Sequence, residues 1–476
     1  MSARVLTPSH WVPTGEAALR LPDGREVFVR EGIVGEAALV LPAHAGAHRV
    51  IGRYVRPAGA PHPTRRRPPC RRFRPCGGCP FMHLVPEAQA AARLALVADA
   101  LRGVGLEAHA PGSIVSGPDG DTDYRHVARL AVGWSERGEV RLGAYGRGSH
   151  DVVPIPECTV STPVIREMMT KVAHAVRDAD IHPYNPETGQ GTLRTIVLRQ
   201  SRANGQVLVT VVAGRSNPAL GRLAERIAVE NGAVAGVWLH LNDSPGNAIF
   251  AAGDPDGPPP FTRLAGRDTI EDTLDGVRLR VGPGDFFQAN PGVAGRIAQD
   301  LAELSAEDRA RPLVDLYAGV GGFTLALGRH HGLALGAEVV PGAVLRAEEN
   351  ARLNHIAARF VRGTVLEALP EIARRLGGHP PVVLVDPARR GLEAGVLDAI
   401  LGLSPARVLY VSCNPRALAR DLAAFARAGW SVDALRAYDM FPQTSHVELL
   451  ARLSPPAPAP AAGVGPRRRI VRDQVD

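Results

Sequence analysis

Hydrophobic and polar positions divide the first part of the chain into stretches of different texture. In residues 8–57, short apolar runs at 27–29 and 37–41 are separated by turn signals, which predicts a small antiparallel β-barrel. Residues 86–104 carry Ala and Leu at helical spacing and predict a helix. From about 120 to 285, short apolar strands again alternate with glycines and polar turns, so we predict a second, mostly β region.

From about residue 290 the pattern changes to apolar strands that alternate with helix-like stretches. The predicted strands are 313–317, 333–338, 382–386 and 407–412. Alternation of this kind is typical of a parallel sheet with helices on both faces. The predicted fold class is therefore α/β plus β. Its parts are an N-terminal OB-like barrel at 8–57, a central β-rich domain at 58–285, a Rossmann-like domain at 286–453 and a disordered Pro/Ala-rich tail at 454–476.

Composition indicates where the protein is located and, weakly, what kind of molecule it binds. A chain of 476 residues with 45% hydrophobic content is long enough for several cores. We see no secretory signal pattern and no apolar run near the roughly 18 residues that a membrane span requires. We therefore expect a cytoplasmic monomer without a membrane partner. The net charge of +7 comes almost wholly from arginine, which suits phosphate but is often only a solvated surface.

Three features of the α/β region point to a cofactor crevice. The strand that contains Asp315 runs through Tyr317 into the glycine-rich loop 318–322, which lets a ligand approach the backbone. The next strand ends at Glu338, where a carboxylate can accept both hydroxyls of a ribose. A third strand ends at Asp386 in the same crevice. Arginines rather than an aromatic residue follow its Asp-Pro turn, which disfavours methylation of ring amines.

A nucleophile and a base are predicted beside this crevice. Cys413 follows the strand 407–412 directly, and a thiol there becomes a nucleophile if its pKa is lowered, although a lone cysteine is often a small core residue. Addition of a thiolate to carbon 6 of uracil activates carbon 5 toward a methyl donor, and a base must then remove the carbon 5 hydrogen. Glu448 is the predicted base, and His446, on the same face of the chain, is the alternative.

The other four cysteines suggest a metal site. Cys70, Cys76 and Cys79 have the spacing C-x5-C-x2-C, and Cys158 is the fourth cysteine before the α/β region. Three close thiols with one distant ligand suit an iron–sulfur cluster, and four thiolates satisfy a structural zinc equally well. Spacing alone leaves both open.

Together these segments resemble the RNA 5-methyluridine methyltransferases of the TrmA and RumA type over nearly the whole chain. The matching pieces are residues 70–79 with Cys158, 285–290, 315–321, 386–389, 411–415 and 441–448. The resemblance implies a TRAM-like barrel, a [4Fe–4S] cluster on the four cysteines and a class I methyltransferase domain. It also implies that Gln288, Tyr317, Glu338 and Asp386 bind S-adenosylmethionine.

The resemblance also indicates the class of RNA substrate, and alternative functions remain open. The barrel and the four cysteines favour the ribosomal-RNA branch over transfer RNA. Gly322 and Thr364 depart from the family, where a polar residue and an acid are usual. The arginines of the stretch 65–74 are candidates to clamp RNA backbone. The alternatives are cytosine carbon-5 methylation, disfavoured because Cys413 is the one cysteine of the catalytic domain, and an RNA-binding or chaperone protein without catalysis.

Overall fold

The computed structural model describes residues 3–46, 48–185, 187–246, 248–250 and 260–457. Their strands form sheets of six, seven and eight strands and one separate hairpin. The tail predicted to be disordered lies outside the described residues from 458 onward. In the described part of the chain, no helix has both the length and the apolar character needed to cross a membrane.

The six-stranded sheet occupies the N-terminal region. Its strands are β1 (Arg4–Leu6), β2 (His10–Trp11), β3 (Ala17–Arg20), β4 (Glu26–Arg30), β5 (Ala38–Ala45) and β6 (Arg49–Pro57). In the hydrogen-bonded order β1-β5-β6-β4-β3-β2, strands β4 and β6 pair in parallel, so the sheet is mixed and not purely antiparallel. Alternate residues of the strands, such as Val27 and Val29, are buried in a small core of their own.

A segment without regular secondary structure then leads to helix α1 (Pro86–Arg102) and the short strand β7 (Ile114–Val115). Pro86 stands at the start of α1, where its missing N–H is not needed. Val97 and Leu101 of this helix are buried in the core of the C-terminal sheet. The helix predicted at 86–104 therefore forms, and it packs on the C-terminal sheet.

The seven-stranded sheet forms the centre of the chain. Its strands are β8 (Val127–Trp134), β9 (Val140–Tyr145), β10 (Val152–Val153), β11 (Leu193–Gln200), β12 (Val207–Ala213), β13 (Val234–Leu241) and β14 (Phe261–Gly266). Helices α2 (Pro163–Asp178) and α3 (Ala219–Val229) cover one face. The interpretation of this region as mostly β did not include these helices. Ile165, Met168 and Val172 stand at helical spacing in α2 and are buried against the sheet.

The C-terminal region is a doubly wound sheet preceded by a hairpin. In chain order its elements are β15 (Ile270–Leu274), β16 (Val277–Val281), α4 (Pro291–Leu304), β17 (Leu313–Asp315), α5 (Gly322–Gly328), β18 (Ala334–Glu338), α6 (Pro341–Leu353), β19 (Ala358–Arg362), α7 (Val365–Leu376), β20 (Val382–Val385), α8 (Val396–Gly402), β21 (Arg407–Ser412), α9 (Pro415–Arg427), β22 (Ser431–Tyr438) and β23 (Glu448–Ser454).

The eight strands lie in the order β19-β18-β17-β20-β21-β23-β22-β7, and β23 runs antiparallel to its neighbours. The four strands predicted from apolar runs form as β17, β18, β20 and β21, and all residues of β20 and β21 are buried. Two hydrophobic cores, one on each face, explain why these strands read as continuous apolar runs. The hairpin β15–β16 precedes the predicted boundary at 285, yet Leu274 and Leu279 belong to one of these cores.

Candidate active site

The crevice predicted from strand ends forms at the carboxyl edge of the parallel strands. Asp315 ends β17, Glu338 ends β18, and Asp386 follows β20. Because β18, β17 and β20 are adjacent and parallel, their ends meet at one edge of the sheet. The loops after β16 and β17 join them there, and Gln288, Tyr317 and Asp386 line the same cleft.

The glycine-rich loop after β17 is hydrogen-bonded to Glu338 at the end of the neighbouring strand β18. The N–H of Gly319 donates to one carboxylate oxygen of Glu338 at 2.9 Å, and the N–H of Val340 donates to the other at 2.7 Å. Gly319 has a φ of 53° and nothing within 4 Å of the position that a β-carbon would take. The loop therefore presents bare backbone beside a fixed carboxylate.

Tyr317 and Thr364 have partners within the protein. The Tyr317 hydroxyl donates to Glu393 at 2.6 Å, which holds the ring at the rim of the cleft. The Thr364 hydroxyl accepts from the backbone N–H of Glu367, and the Glu367 carboxylate accepts from the backbone of Thr364 in return. At this departure from the family pattern, the threonine caps helix α7.

Two buried carboxyls lie at the floor of the crevice. Burial is the main reason why the pKa of Asp315 rises to about 6, although it accepts hydrogen bonds from the Thr324 hydroxyl at 2.6 Å and the Tyr317 N–H at 3.1 Å. Burial and then the charge of Asp315 raise the pKa of Asp386 to about 7. Sequence reasoning did not include Asp315 among the site residues, because it read as the last residue of a strand.

Strand register brings Cys413 and Glu448 together. Ser412 of β21 pairs with Leu449 of β23 in the antiparallel ladder, so the next residues along, Cys413 and Glu448, face each other across the two strands. Cys413 is half-buried, and Glu448 is only 5% exposed. The two residues predicted to be nucleophile and base are 35 positions apart in sequence and adjacent in the fold.

Burial raises the pKa of both side chains of this pair. Burial, and secondarily the nearby Glu448, raises the pKa of the Cys413 thiol to about 11, while Arg389 acts in the opposite direction. Burial and then the charge of Asp386 raise the pKa of Glu448 well above its ordinary value. Among the charged groups that act on the thiol, Arg389 is the one that favours ionisation of Cys413.

Arg389 and His446 complete the surroundings. The backbone carbonyl of Arg389 accepts from the Asn414 side chain at 2.7 Å, which ties the loop after β20 to the residue next to Cys413. Burial, followed by the charges of Arg389 and Arg125, lowers the pKa of His446, so the imidazole is neutral near pH 7. Sequence reasoning quoted Arg389 in a motif without giving it a role, although its place after the Asp-Pro turn was a signal.

The four cysteines of the first half lie near one another. Cys70, Cys79 and Cys158 pack around Met82, Tyr124 and Val160. Burial raises the pKa of Cys70, Cys76 and Cys79, and charge on the neighbouring thiols raises them further. All four thiols are free. Within the ranges that the structure describes, no group of three or more His, Cys, Asp or Glu side chains is arranged to hold a metal ion.

Several arginines of the basic stretch are used inside the protein. The Arg65 guanidinium pairs with the buried Glu36 and lies 3.9 Å from the centre of the Tyr54 ring. Arg66 donates to Asp121 at 3.2 Å and to Gln443 at 3.0 Å. By contrast, Arg71 and Arg72 are exposed. Arg65 and Arg66 therefore hold the fold, and the exposed Arg74 pairs with Glu31 at 3.2 Å, whereas Arg71 and Arg72 face solvent.

The fold and the crevice together are those of an α/β domain that binds a ligand at the carboxyl edge of its sheet, and comparison with known proteins identifies the class. Residues 268–454 match the family model described as tRNA (Uracil-5-)-methyltransferase. A protein named as an RNA methyltransferase from Gloeobacter violaceus is 33% identical over 92% of this chain and 93% of its own length. Another from Thermosynechococcus vestitus is 34% identical over 93% and 95%.

A solved structure supports the fold. The Pyrococcus abyssi tRNA (uracil-54, C5)-methyltransferase, solved in complex with S-adenosyl-L-homocysteine, superimposes with a TM-score of 0.73 at 23% identity and covers 94% of this chain and 100% of that one. The chain belongs to the RNA uracil-5 methyltransferase family, of the TrmA and RumA type.

Proposed function

We propose that this protein methylates carbon 5 of a uridine in structured RNA through a covalent bond from Cys413 to carbon 6 of the base. One observation carries the proposal. The register of β21 and β23 sets Cys413 opposite the buried Glu448, beside the cleft lined by Gln288, Tyr317 and Asp386. A nucleophile, a base and a cofactor cleft at one sheet edge are what this reaction requires.

The residues of the cleft fit S-adenosylmethionine. Open space over Gly319 lets a ligand approach the backbone, and each Glu338 oxygen keeps a lone pair for a ribose hydroxyl while it accepts one backbone N–H. Gln288, Tyr317, Glu338 and Asp386 would hold the cofactor. When bound, S-adenosylmethionine supplies the electrophilic methyl group.

The side chains of the chain carry the remaining steps. The Cys413 thiol first gives its proton to solvent, and the charge of Arg389 favours the resulting thiolate. Its sulfur then forms a bond to carbon 6 while the electron pair of the double bond between carbons 5 and 6 moves into the ring as an enolate. Glu448, whose pKa is also raised, acts in its ionised form in the later step. Once carbon 5 is methylated, the Glu448 carboxylate accepts the proton from carbon 5. The bond between sulfur and carbon 6 then breaks and restores the double bond. A buried carboxylate of raised pKa is a stronger base for this step than an exposed one.

We further propose that Cys70, Cys76, Cys79 and Cys158 hold a [4Fe–4S] cluster. Their nearness in one half-buried pocket supports this. Each thiolate of such a cluster binds a different iron atom, so the thiols need not converge on one point as they do around zinc. Anaerobically purified protein should absorb broadly near about 400 nm and contain iron and sulfide; stoichiometric zinc without iron would contradict the proposal.

The most specific part of the proposal is the class of RNA that serves as substrate. The family resemblance favours ribosomal RNA, whereas the similar solved structure is named for uridine 54 of transfer RNA. Digestion of methylated RNA to nucleosides gives 5-methyluridine on our proposal. 5-Methylcytidine as the product would favour the cytosine alternative instead.

The decisive experiment traps the covalent step. RNA that contains 5-fluorouridine cannot lose a proton from carbon 5, so the adduct with the enzyme should persist in denaturant. Mass spectrometry should place it on Cys413, and Cys413→Ala should form none. Sequencing of the trapped RNA identifies the target. Absence of an adduct with total RNA would favour a protein that binds RNA without catalysis.

A further inference from the structure

The loop between β22 and β23 leads directly into Glu448, and other parts of the chain hold it at nearly every residue. Side chains from distant segments donate to its carbonyls. These are Asn290 to Met440 at 3.3 Å, the Tyr124 hydroxyl to Pro442 at 2.9 Å and Arg93 to Thr444 at 3.1 Å. The position of the loop is therefore set by tertiary contacts.

Gln443 is the centre of this arrangement. It is 0% exposed and has a φ of 70°, a left-handed backbone conformation that residues other than glycine rarely adopt. Its side-chain oxygen accepts from Arg66 at 3.0 Å and from Gln89 at 2.9 Å. Its side-chain nitrogen donates to the carbonyl of Asp121 at 3.1 Å and to the Asp121 carboxylate at 2.7 Å. All four hydrogen-bonding positions of the amide are used.

The backbone of Gln443 is held in the same way. Its N–H donates to the side-chain oxygen of Gln89 at 3.0 Å, and its carbonyl accepts from the N–H of Phe81 at 2.9 Å. Arg66 and Phe81 belong to the segment around the cysteines, Gln89 to α1, and Asp121 to the segment before β8. One residue thus joins three separate parts of the chain to the loop.

Glu448 lies where this loop joins β23, so the loop and the strand pairing together set its position. In the described part of the chain, no side chain or backbone group forms a hydrogen bond with its carboxylate. A carboxylate without such partners is placed by its backbone, and Glu448 is the residue at which the loop ends and β23 begins, paired with Tyr438 of β22 and five residues after Gln443. A displacement near 1 Å at a reacting group can slow a step about 100-fold. The hydrogen bonds of Gln443 are therefore where such a displacement would be prevented.

We propose that Gln443 is a positioning residue for removal of the carbon 5 proton, acting through the loop that carries Glu448. This inference rests on the proposed function, in which Glu448 takes that proton. It separates two steps. Attack by Cys413 depends on β21, whose residues are buried in the sheet, whereas proton removal depends in addition on the loop that leads into Glu448.

The test exchanges the hydrogen-bonding groups of one contact. Q443E replaces the amide donor by an oxygen that faces the carbonyl and carboxylate of Asp121, and D121N supplies a donor again in the double variant Q443E/D121N. The control is Q190E, at an exposed glutamine. Each protein is given RNA with tritium at carbon 5 of uridine, to measure proton removal, and 5-fluorouridine RNA, to measure attack. Circular dichroism melting checks the fold.

We expect Q443E to form the fluorouridine adduct within about threefold of the wild-type rate and to release tritium about 10- to 100-fold more slowly. An adduct with ordinary uridine RNA should then accumulate. The double variant should recover most of the tritium release, and Q190E should match the wild type. Loss of both steps in equal proportion, unchanged tritium release, or no recovery in the double variant overturns the proposal.

If Q443E does not fold, the single variant D121N tests the positioning role of Gln443. It leaves the buried glutamine in place and weakens one contact, so a smaller split in the same direction is expected, and an equal loss of both steps overturns the proposal. The wild-type protein separates the two levels of inference. No fluorouridine adduct in wild type contradicts the proposed function, whereas a wild-type adduct with no split in the variants contradicts only the role of Gln443.

Discussion

The catalytic crevice and the cysteine segment both present half-buried thiols, but different forces place them. Cys413 follows six buried strand residues, and the hydrogen-bonded register of β21 and β23 sets its partner. Cys70, Cys76 and Cys79 lie between β6 and α1, where the chain has neither helix nor strand. In a β-sheet, the repeating backbone hydrogen bonds fix where each side chain lies. In an irregular segment, the positions of the side chains depend on individual long-range contacts such as the ion pair Arg66–Asp121.

The largest expected effect separates these two kinds of thiol. Cys413→Ala should lower methyl transfer about 1,000-fold or more, because the nucleophile is lost, without a change in melting temperature above a few degrees. Cys79→Ala should lower the melting temperature and still form the fluorouridine adduct on Cys413. Transfer of labelled methyl groups, thermal melting and adduct formation with 5-fluorouridine RNA are measured for both variants. Complete inactivity of Cys79→Ala at a temperature where it is folded would contradict this separation.

The next effect concerns the partner across the strands. Glu448→Gln removes the base and should slow turnover about 100- to 10,000-fold while attack by Cys413 continues. An adduct with ordinary uridine RNA should therefore accumulate and resist denaturant on a gel. Glu225→Gln, at an exposed position on α3, is the control and should behave as the wild type. Normal turnover in Glu448→Gln would transfer the role of base to His446.

A smaller effect concerns the ionisation of Cys413. Burial raises its pKa to about 11, so the reactive thiolate is a minor form at neutral pH and increases about tenfold with each pH unit. The rate of fluorouridine adduct formation should therefore rise from about pH 6.5 to 9. Arg389→Ala removes a favourable charge and should slow attack about three- to tenfold at neutral pH, with the profile moved to higher pH.

The control for that change is Arg390→Ala, at the neighbouring exposed arginine. It should leave the pH profile of adduct formation in place, because Arg389 is the arginine whose charge acts on the Cys413 thiol. A profile that does not move in Arg389→Ala, or one that moves equally in both variants, would contradict a role of Arg389 in ionisation.

The smallest effect tests the basic stretch. Arg71→Ala should weaken RNA binding a few-fold and lower the slope of log affinity against log salt by about 1, as expected for one lost phosphate contact. Arg374→Ala, at an exposed site on α7, is the control. Titrations at several salt concentrations measure both slopes. Identical slopes in the two variants would show that Arg71 is only solvated.

Much of the crevice could be predicted because its signals are local. Apolar runs that end in Asp386 or Glu338 mark buried parallel strands, and the topology of a doubly wound sheet brings such ends to one edge. Two helices of the central region were not predicted, because the short strands around them dominated the pattern. Arg389 and Asp315 were not predicted as site residues either, since nothing in their neighbours along the chain reveals the charges that surround them.

The sequence by itself determined the alternation of strands and helices, the residue types at the strand ends and the family resemblance. Only the tertiary structure decided that Cys413 faces Glu448, that Arg66 serves the interior, and that Gln443 joins three distant segments to the loop before the base. The physical reason is the distance along the chain over which each kind of interaction acts. Periodicity and turn chemistry act over a few residues, whereas register, burial and hydrogen bonds across 300 or more positions, such as those of Gln443, exist only when the whole chain is folded.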